Sequence, residues 1–133
     1  MKTLFIDTSA FYALFNRDDR HHQEASHFYQ EQSCIFITTQ TVFIELLSLI
    51  TKRLSKKNAI QHGQAIKASH ERFKIIVMNE DQAERAWELF CKHKDKDYDL
   101  VDCLSFVCMK DLHITEAFTF DHHFAQAGFA KIP

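Results

Sequence analysis

Two acidic residues sit inside apolar helical segments that offer them no partner. Glu45 lies in "TVFIELLSLI", with Thr41, Val42, Ser48 and Leu49 one helical turn away and no cation among them. Asp102, in "YDLVDCLSFVCM", has Tyr98, Asp99, Ser105 and Phe106 at the same offsets, again without a cation. Burying an unpaired carboxylate costs several kcal/mol, so each needs a reason to be there. Asp7 and Asp121 raise the question differently, each standing where a short apolar run ends, in "LFIDTS" and "AFTFDHHF". Asp7 or Asp121 alone reads equally well as the cap of the helix that follows. Asp102 can bond to backbone near its helix start, whereas Glu45 has no free backbone donor in mid-helix. A purely structural reading of Asp7, Glu45, Asp102 and Asp121 together requires a separate coincidence for each. Asp99, one turn before Asp102 on the same face, is either a further functional acid or the helix N-cap.

Carboxylates that converge cannot all stay ionised without a counter-charge. Hard oxygen donors without Cys or His at suitable spacing suit Mg²⁺ or Mn²⁺ rather than zinc. Metals held in this way bind phosphate oxygens and activate water for in-line displacement. Thr8, Ser9 and Thr119 lie beside the acids and are placed to orient carboxylates, water or phosphate. The chemistry these residue types point to is metal-dependent phosphodiester hydrolysis.

The elements that must position these residues alternate. Strands are expected at Lys2–Ile6, Ile35–Thr38, Ile75–Met78, Ala117–Phe120 and Ala130–Ile132. Between them the periodicity predicts helices from Ser9 to Phe15, His21 to Gln32, Gln40 to Leu54 and Lys56 to Phe73. Further helices are expected from an Asn79 cap to about His93, from Leu100 to about Leu112, and from Asp121 to Ala127. The Gln40–Leu54 helix is apolar nearly all round and is expected to be buried, with Glu45 facing the interior or a cleft. Uniformly apolar strands alternating with helices argue for a parallel sheet covered on both faces. In such sheets the functional crevice lies beyond the carboxyl ends of the strands, where Asp7 and Asp121 fall.

Composition narrows the function classes. The 133 residues are 46% hydrophobic and 26% charged, with 13 Phe, 2 Gly and 1 Pro, which suits one compact domain spanning residues 1–133. A net charge of −2 excludes a protein that binds nucleic acid through bulk basicity, though a local patch such as "TKRLSKK" remains, with a solvated helix end as its plain reading. Cys34, Cys91, Cys103 and Cys108 form no CxxC pair and read as buried, reduced thiols. No leader or membrane-spanning run is apparent, and the expected compartment is the cytoplasm. His21 and His22 read as phosphate contacts or as turn and cap residues. His122 and His123 read as groove-lining or solvent-exposed, and no His is placed in the metal shell.

The motifs "LFIDTSAFYAL", "FIEL", "DLVDCLSF" and "AFTFDHHFAQAGF", in this order and spacing, resemble a PIN-domain ribonuclease of the VapC-like toxin group. The resemblance covers nearly the whole chain and is most specific from Tyr98 to Pro133. It implies a three-layer α/β/α sandwich with a mostly parallel central sheet, and Mg²⁺- or Mn²⁺-dependent cleavage of RNA. By motif, Asp7, Glu45, Asp102 and Asp121 match the family's metal-holding acids. At Asp99 the family often has a small polar residue, so an acid there either widens the site or caps the helix. The resemblance also implies a homodimer and an antitoxin protein as partner. The competing readings are a PIN-like RNA-binding or assembly module without activity, and a small phosphatase or receiver-like domain with Asp7 as nucleophile. All four acids are present, which argues against the first. The strand exits lack a phosphate-neutralising Lys, which argues against the second.

Overall fold

The computed structural model describes residues 1–133. In β1 (Thr3–Ile6), Leu4, Phe5 and Ile6 are all completely buried. Alternate side chains of a strand point to opposite faces, so the sheet is covered on both sides here. β2 (Ile35–Thr39) and β4 (Glu116–Phe118) flank β1 in parallel, with Phe5 in register with Ile37 on one side and Ala117 on the other. β3 (Phe73–Ile76) and β5 (Ala130–Ile132) extend the two edges, giving the order β3-β2-β1-β4-β5 with every pairing parallel.

The helices are α1 (Thr8–Phe15), α2 (His22–Glu31), α3 (Gln40–Arg53), α4 (Lys56–Ala68), α5 (Glu80–Lys92), α6 (Leu100–Asp111) and the single turn α7 (His123–Gln126). They form the outer layers of the expected α/β/α sandwich, around a sheet that is wholly parallel. Local chemistry sets their starts. Thr39 caps α3, Ser55 caps α4, and the expected Asn79–Gln82 capping box opens α5. Gly128, at φ +96°, provides the left-handed turn that leads out of α7 into β5. No helix is long and apolar enough to cross a membrane.

Four expectations are corrected. The polar helix α4 ends at Ala68 rather than Phe73, and β3 is Phe73–Ile76 rather than Ile75–Met78. Phe73 is drawn into the sheet by rings of Phe11 and Phe36, at 5.5 and 5.6 Å, while Val77 is 66% exposed. Helix α3 is not buried all round, because Ile44 is 57% exposed and only Val42, Leu46 and Ile50 are buried. Cys34, Cys103 and Cys108 are buried free thiols as expected, but Cys91 is exposed.

The chain passes from β1 outward to β2 and β3, then returns to the other side of β1 for β4 and β5. The winding reverses between β1 and β4, and Asp7 and Asp121 follow those two adjacent strands. This switch point is where open α/β sheets leave a crevice.

Candidate active site

Asp7 ends β1 and caps α1. Its Oδ1 accepts from the Ala10 amide at 3.0 Å and from the Ser9 hydroxyl at 2.8 Å, and its Oδ2 accepts from the Thr119 hydroxyl at 2.7 Å. The same hydroxyls tie the neighbouring strand exit, Thr119 Oγ1 accepting from the Asp121 amide and Ser9 Oγ from the Phe120 amide. Burial pushes the Asp7 carboxyl up to about 6, although the hydrogen bonds from Thr119, Ala10 and Ser9 oppose the rise. The cap reading and the functional reading are therefore not alternatives. Asp7 caps a helix and still lacks a cation.

Glu45 emerges from the second turn of α3, half-buried, and is pinned by the Thr8 hydroxyl at 2.6 Å. That contact joins α3 to the first residue of α1, so the strand exit at Asp7 and the mid-helix acid are set by adjacent residues. Asp99 and Asp102 form a reciprocal capping box at the start of α6. The Asp102 amide donates to Asp99 Oδ1 at 2.7 Å, and the Asp99 amide donates to Asp102 Oδ2 at 3.2 Å. Burial, reinforced by the negative charge of Asp99, pushes the Asp102 carboxyl up to about 7. Asp121 accepts the His123 amide on Oδ1 at 2.9 Å.

All these acids reach one cleft of about 290 Å³, lined by Asp7, Glu45, Asp99, Asp102 and Asp121. Arg53 is the sole Lys or Arg among its lining residues, and it lies 5.4 Å from the centre of the Tyr12 ring. It comes from the "TKRLSKK" run, whose Lys52 and Arg53 also close the last turn of α3, where cations are favoured. The structure thus splits that run. Arg53 reaches the cleft, and Lys52, Lys56 and Lys57 are exposed without lining it. His21 lines the cleft with its ring stacked on Phe120 at 4.3 Å, while His22 Nδ1 lies 2.7 Å from the Ala13 carbonyl.

Of the two histidines that follow Asp121, His123 is the one the structure brings against the acids. Its Nδ1 lies 3.1 Å from Asp102 Oδ2 and 3.1 Å from Asp121 Oδ1, buried, and in hydrogen-bond geometry with neither. The adjacent His122 is 70% exposed. Only the doubled His after Asp121 hinted at this, and the sequence gives no means of telling the inward ring from the outward one.

The donor set suits a hard divalent cation. Glu45 Oε2, Asp102 Oδ1 and Asp121 Oδ2 each carry no hydrogen bond from the protein, while the second oxygen of each is fixed. Carboxylate oxygens held by one edge and open at the other are what Mg²⁺ or Mn²⁺ requires. Burial pushes the Cys103 and Cys108 thiols up to about 11, which leaves them as inert packing residues of α6.

Comparison with known proteins agrees with this architecture. Residues 4–130 match the PIN domain family. The chain is 31% identical over 133 residues to the 23S rRNA-specific endonuclease VapC20 of Mycobacterium tuberculosis, with 97% of each covered. The crystal structure of VapC20, described as a sarcin-ricin loop cleaving toxin, superposes with a TM-score of 0.91 at 29% identity, covering 97% of this chain and 98% of that one. A toxin-antitoxin complex from Klebsiella pneumoniae shares the fold at a TM-score of 0.67 and 19% identity, with 98% and 96% covered. With the strand order, the acid-lined switch point and these matches in hand, the chain belongs to the PIN-domain family, in its VapC-like toxin group.

Proposed function

We propose that residues 1–133 form a single nuclease domain that hydrolyses RNA phosphodiester bonds, with Asp7, Glu45, Asp102 and Asp121 holding Mg²⁺ or Mn²⁺. The observation that carries this reading is the convergence of those carboxylates on one cleft, with no Lys or Arg paired to any of them. The substrate class is large-subunit ribosomal RNA, supported by the 31% identical relative named for 23S rRNA. The toxin role, a separate antitoxin that blocks the cleft, a homodimer and a cytoplasmic location complete the reading. The antitoxin is supported by structural neighbours solved as toxin-antitoxin complexes.

When bound, the metal supplies charge neutralisation at the phosphate and a more acidic water. The protein's own residues do the rest. Ser9, Thr119 and the Ala10 amide hold Asp7 rigid, and Thr8 fixes Glu45 against rotation. Without metal, burial pushes the Asp7 and Asp102 carboxyls up to about 6 and about 7, so a cation held there would restore their ionised form near neutral pH. Arg53 at the cleft wall gives the polyanion a cationic contact.

The test is cleavage of labelled short RNAs and of a 23S rRNA fragment by the purified protein, with Mg²⁺, Mn²⁺ or EDTA. Asp7→Asn run in parallel controls for contaminating nucleases. Cleavage that requires metal and is lost in Asp7→Asn supports the reading. RNA binding without cleavage under every metal would replace it with the inactive-module reading.

A further inference from the structure

His123 stands behind the cleft rather than in it. It is absent from the cleft lining, its ring meets Tyr98 edge-on at 5.6 Å, and its side chain is 16% exposed. Its Nδ1 points at the fixed edges of two acids: Asp102 Oδ2, which already accepts the Asp99 amide, and Asp121 Oδ1, which already accepts the amide of His123 itself. The opposite oxygens of those acids are the ones left open.

From this arrangement we infer that His123 is a positioning residue that couples Asp102 to Asp121, its Nδ1–H serving both carboxylates from behind and turning their free oxygens together toward a cation. The inference rests on the metal-site reading above. It goes beyond the set of four acids by assigning a further residue that acts through them.

Three features lead here. Asp102 lies in the first turn of α6 and Asp121 follows β4, so the two acids come from separate elements of the chain. A common donor at 3.1 Å from each is the direct link between the two carboxylates. The second feature is the mismatch. A buried ring nitrogen in hydrogen-bond geometry with neither acceptor is an unfavourable arrangement, one that rotation of the two carboxylates would relieve. A cation held by Asp102 and Asp121 would favour that rotation in both. The third is backbone placement, since the His123 amide already bonds Asp121. The ring and the carboxylate it serves are therefore set by the same turn, while His122, one residue earlier, is 70% exposed with its Nδ1 at 3.9 Å from Asp121 Oδ1.

The experiment is Mn²⁺ titration of the full chain followed by electron paramagnetic resonance, on wild type, His123→Ala, His123→Gln and His122→Ala. Loss of an outer-shell partner of this kind weakens metal affinity about 10- to 100-fold. His123→Ala is expected to show that loss and a changed Mn²⁺ line shape, with an unaltered far-ultraviolet circular dichroism spectrum without metal. Partial recovery is expected in His123→Gln, which restores an N–H donor, and none of these changes in His122→Ala. A directly coordinated ¹⁴N signal in wild type, absent in His123→Ala, would overturn the inference by making the ring a ligand. Equal Mn²⁺ affinity and line shape in wild type and His123→Ala would overturn it too while leaving the acid site standing. If wild type binds no Mn²⁺, the metal-site reading fails and the inference with it.

Discussion

Two groups of acids in this molecule have opposite surroundings. On the outer face, Arg85 of α5 grips Asp111 of α6 with a two-pronged contact, 2.9 and 2.6 Å, and takes Asp81 at 3.1 Å. The hydrogen bonds from Arg85 and then Gln82 hold the Asp111 carboxyl down at about 2. At the strand exits, Asp7 and Asp102 rise to about 6 and about 7, because burial removes water and no Arg or Lys replaces it. The same side-chain type is displaced in opposite directions within one small domain. Acids that fasten helices together come with their own cation. Acids at the crevice are left short of one, which is the state a metal corrects.

The comparison breaks most sharply on activity. Asp102→Asn is expected to lower RNA cleavage on the order of a thousandfold or more, and Asp111→Asn to leave it within about twofold, in the same metal-supplemented assay. Comparable losses in both would remove the distinction between the two groups.

Stability without metal gives the next largest contrast, and the signs oppose. The folded-state value of Asp7, about 6, lies above its ordinary 3.8. The folded chain therefore binds that proton more tightly than the unfolded one, and stability falls as pH rises from about 4 through about 6. Asp102 adds a fall in the same direction, through about 7. Asp7→Asn is expected to flatten this profile and to stabilise the metal-free protein at pH 8 by up to about 3 kcal/mol, the linkage limit for a rise of about two units. Asp111 runs the other way, since its lowered value contributes stability above about 4 that is lost as pH falls through about 2. That contribution is that of a surface pair, about 1 kcal/mol or less. Denaturant titrations at pH 5 and pH 8, with and without Mn²⁺, read all of this. An Asp7→Asn protein less stable than wild type at pH 8 would make Asp7 a structural cap before anything else.

The smallest effect is expected at Arg53, the one Arg or Lys on the cleft wall. Arg53→Ala should raise KM for RNA a few-fold, with kcat little changed and a weaker salt dependence of binding. An equal loss in kcat would place Arg53 closer to the reacting phosphate than the geometry does.

Much of this contrast was legible in the sequence because it is a contrast of neighbours. Glu45 and Asp102 have no cation one helical turn away, whereas Asp81 has Arg85 at i+4. The parallel sheet could be read from "LFI" and "IFI", since strands closed on both faces need no polar alternation. What escaped was set by contacts distant in the chain. Phe73 reads as the end of a helix because its local periodicity allows it, and the rings of Phe11 and Phe36 decide otherwise. The apolar run of α3 does not tell which side of the helix is covered, so the exposure of Ile44 was invisible. The inward turn of His123 rather than His122 escaped for the same reason. Its ring direction follows from a one-turn helix whose start is fixed by Asp121, not from any repeat in the sequence.

The hydroxyl clasp between Asp7 and Thr119 spans 112 positions of the chain, and that separation orders events in time. A nascent chain halted after α6 already contains Asp7, Glu45 and Asp102. It has neither the Thr119 hydroxyl that holds Asp7 nor Asp121, and β1 has an open edge where β4 should lie. The crevice is complete only when β4 and β5 have joined the sheet beside β1.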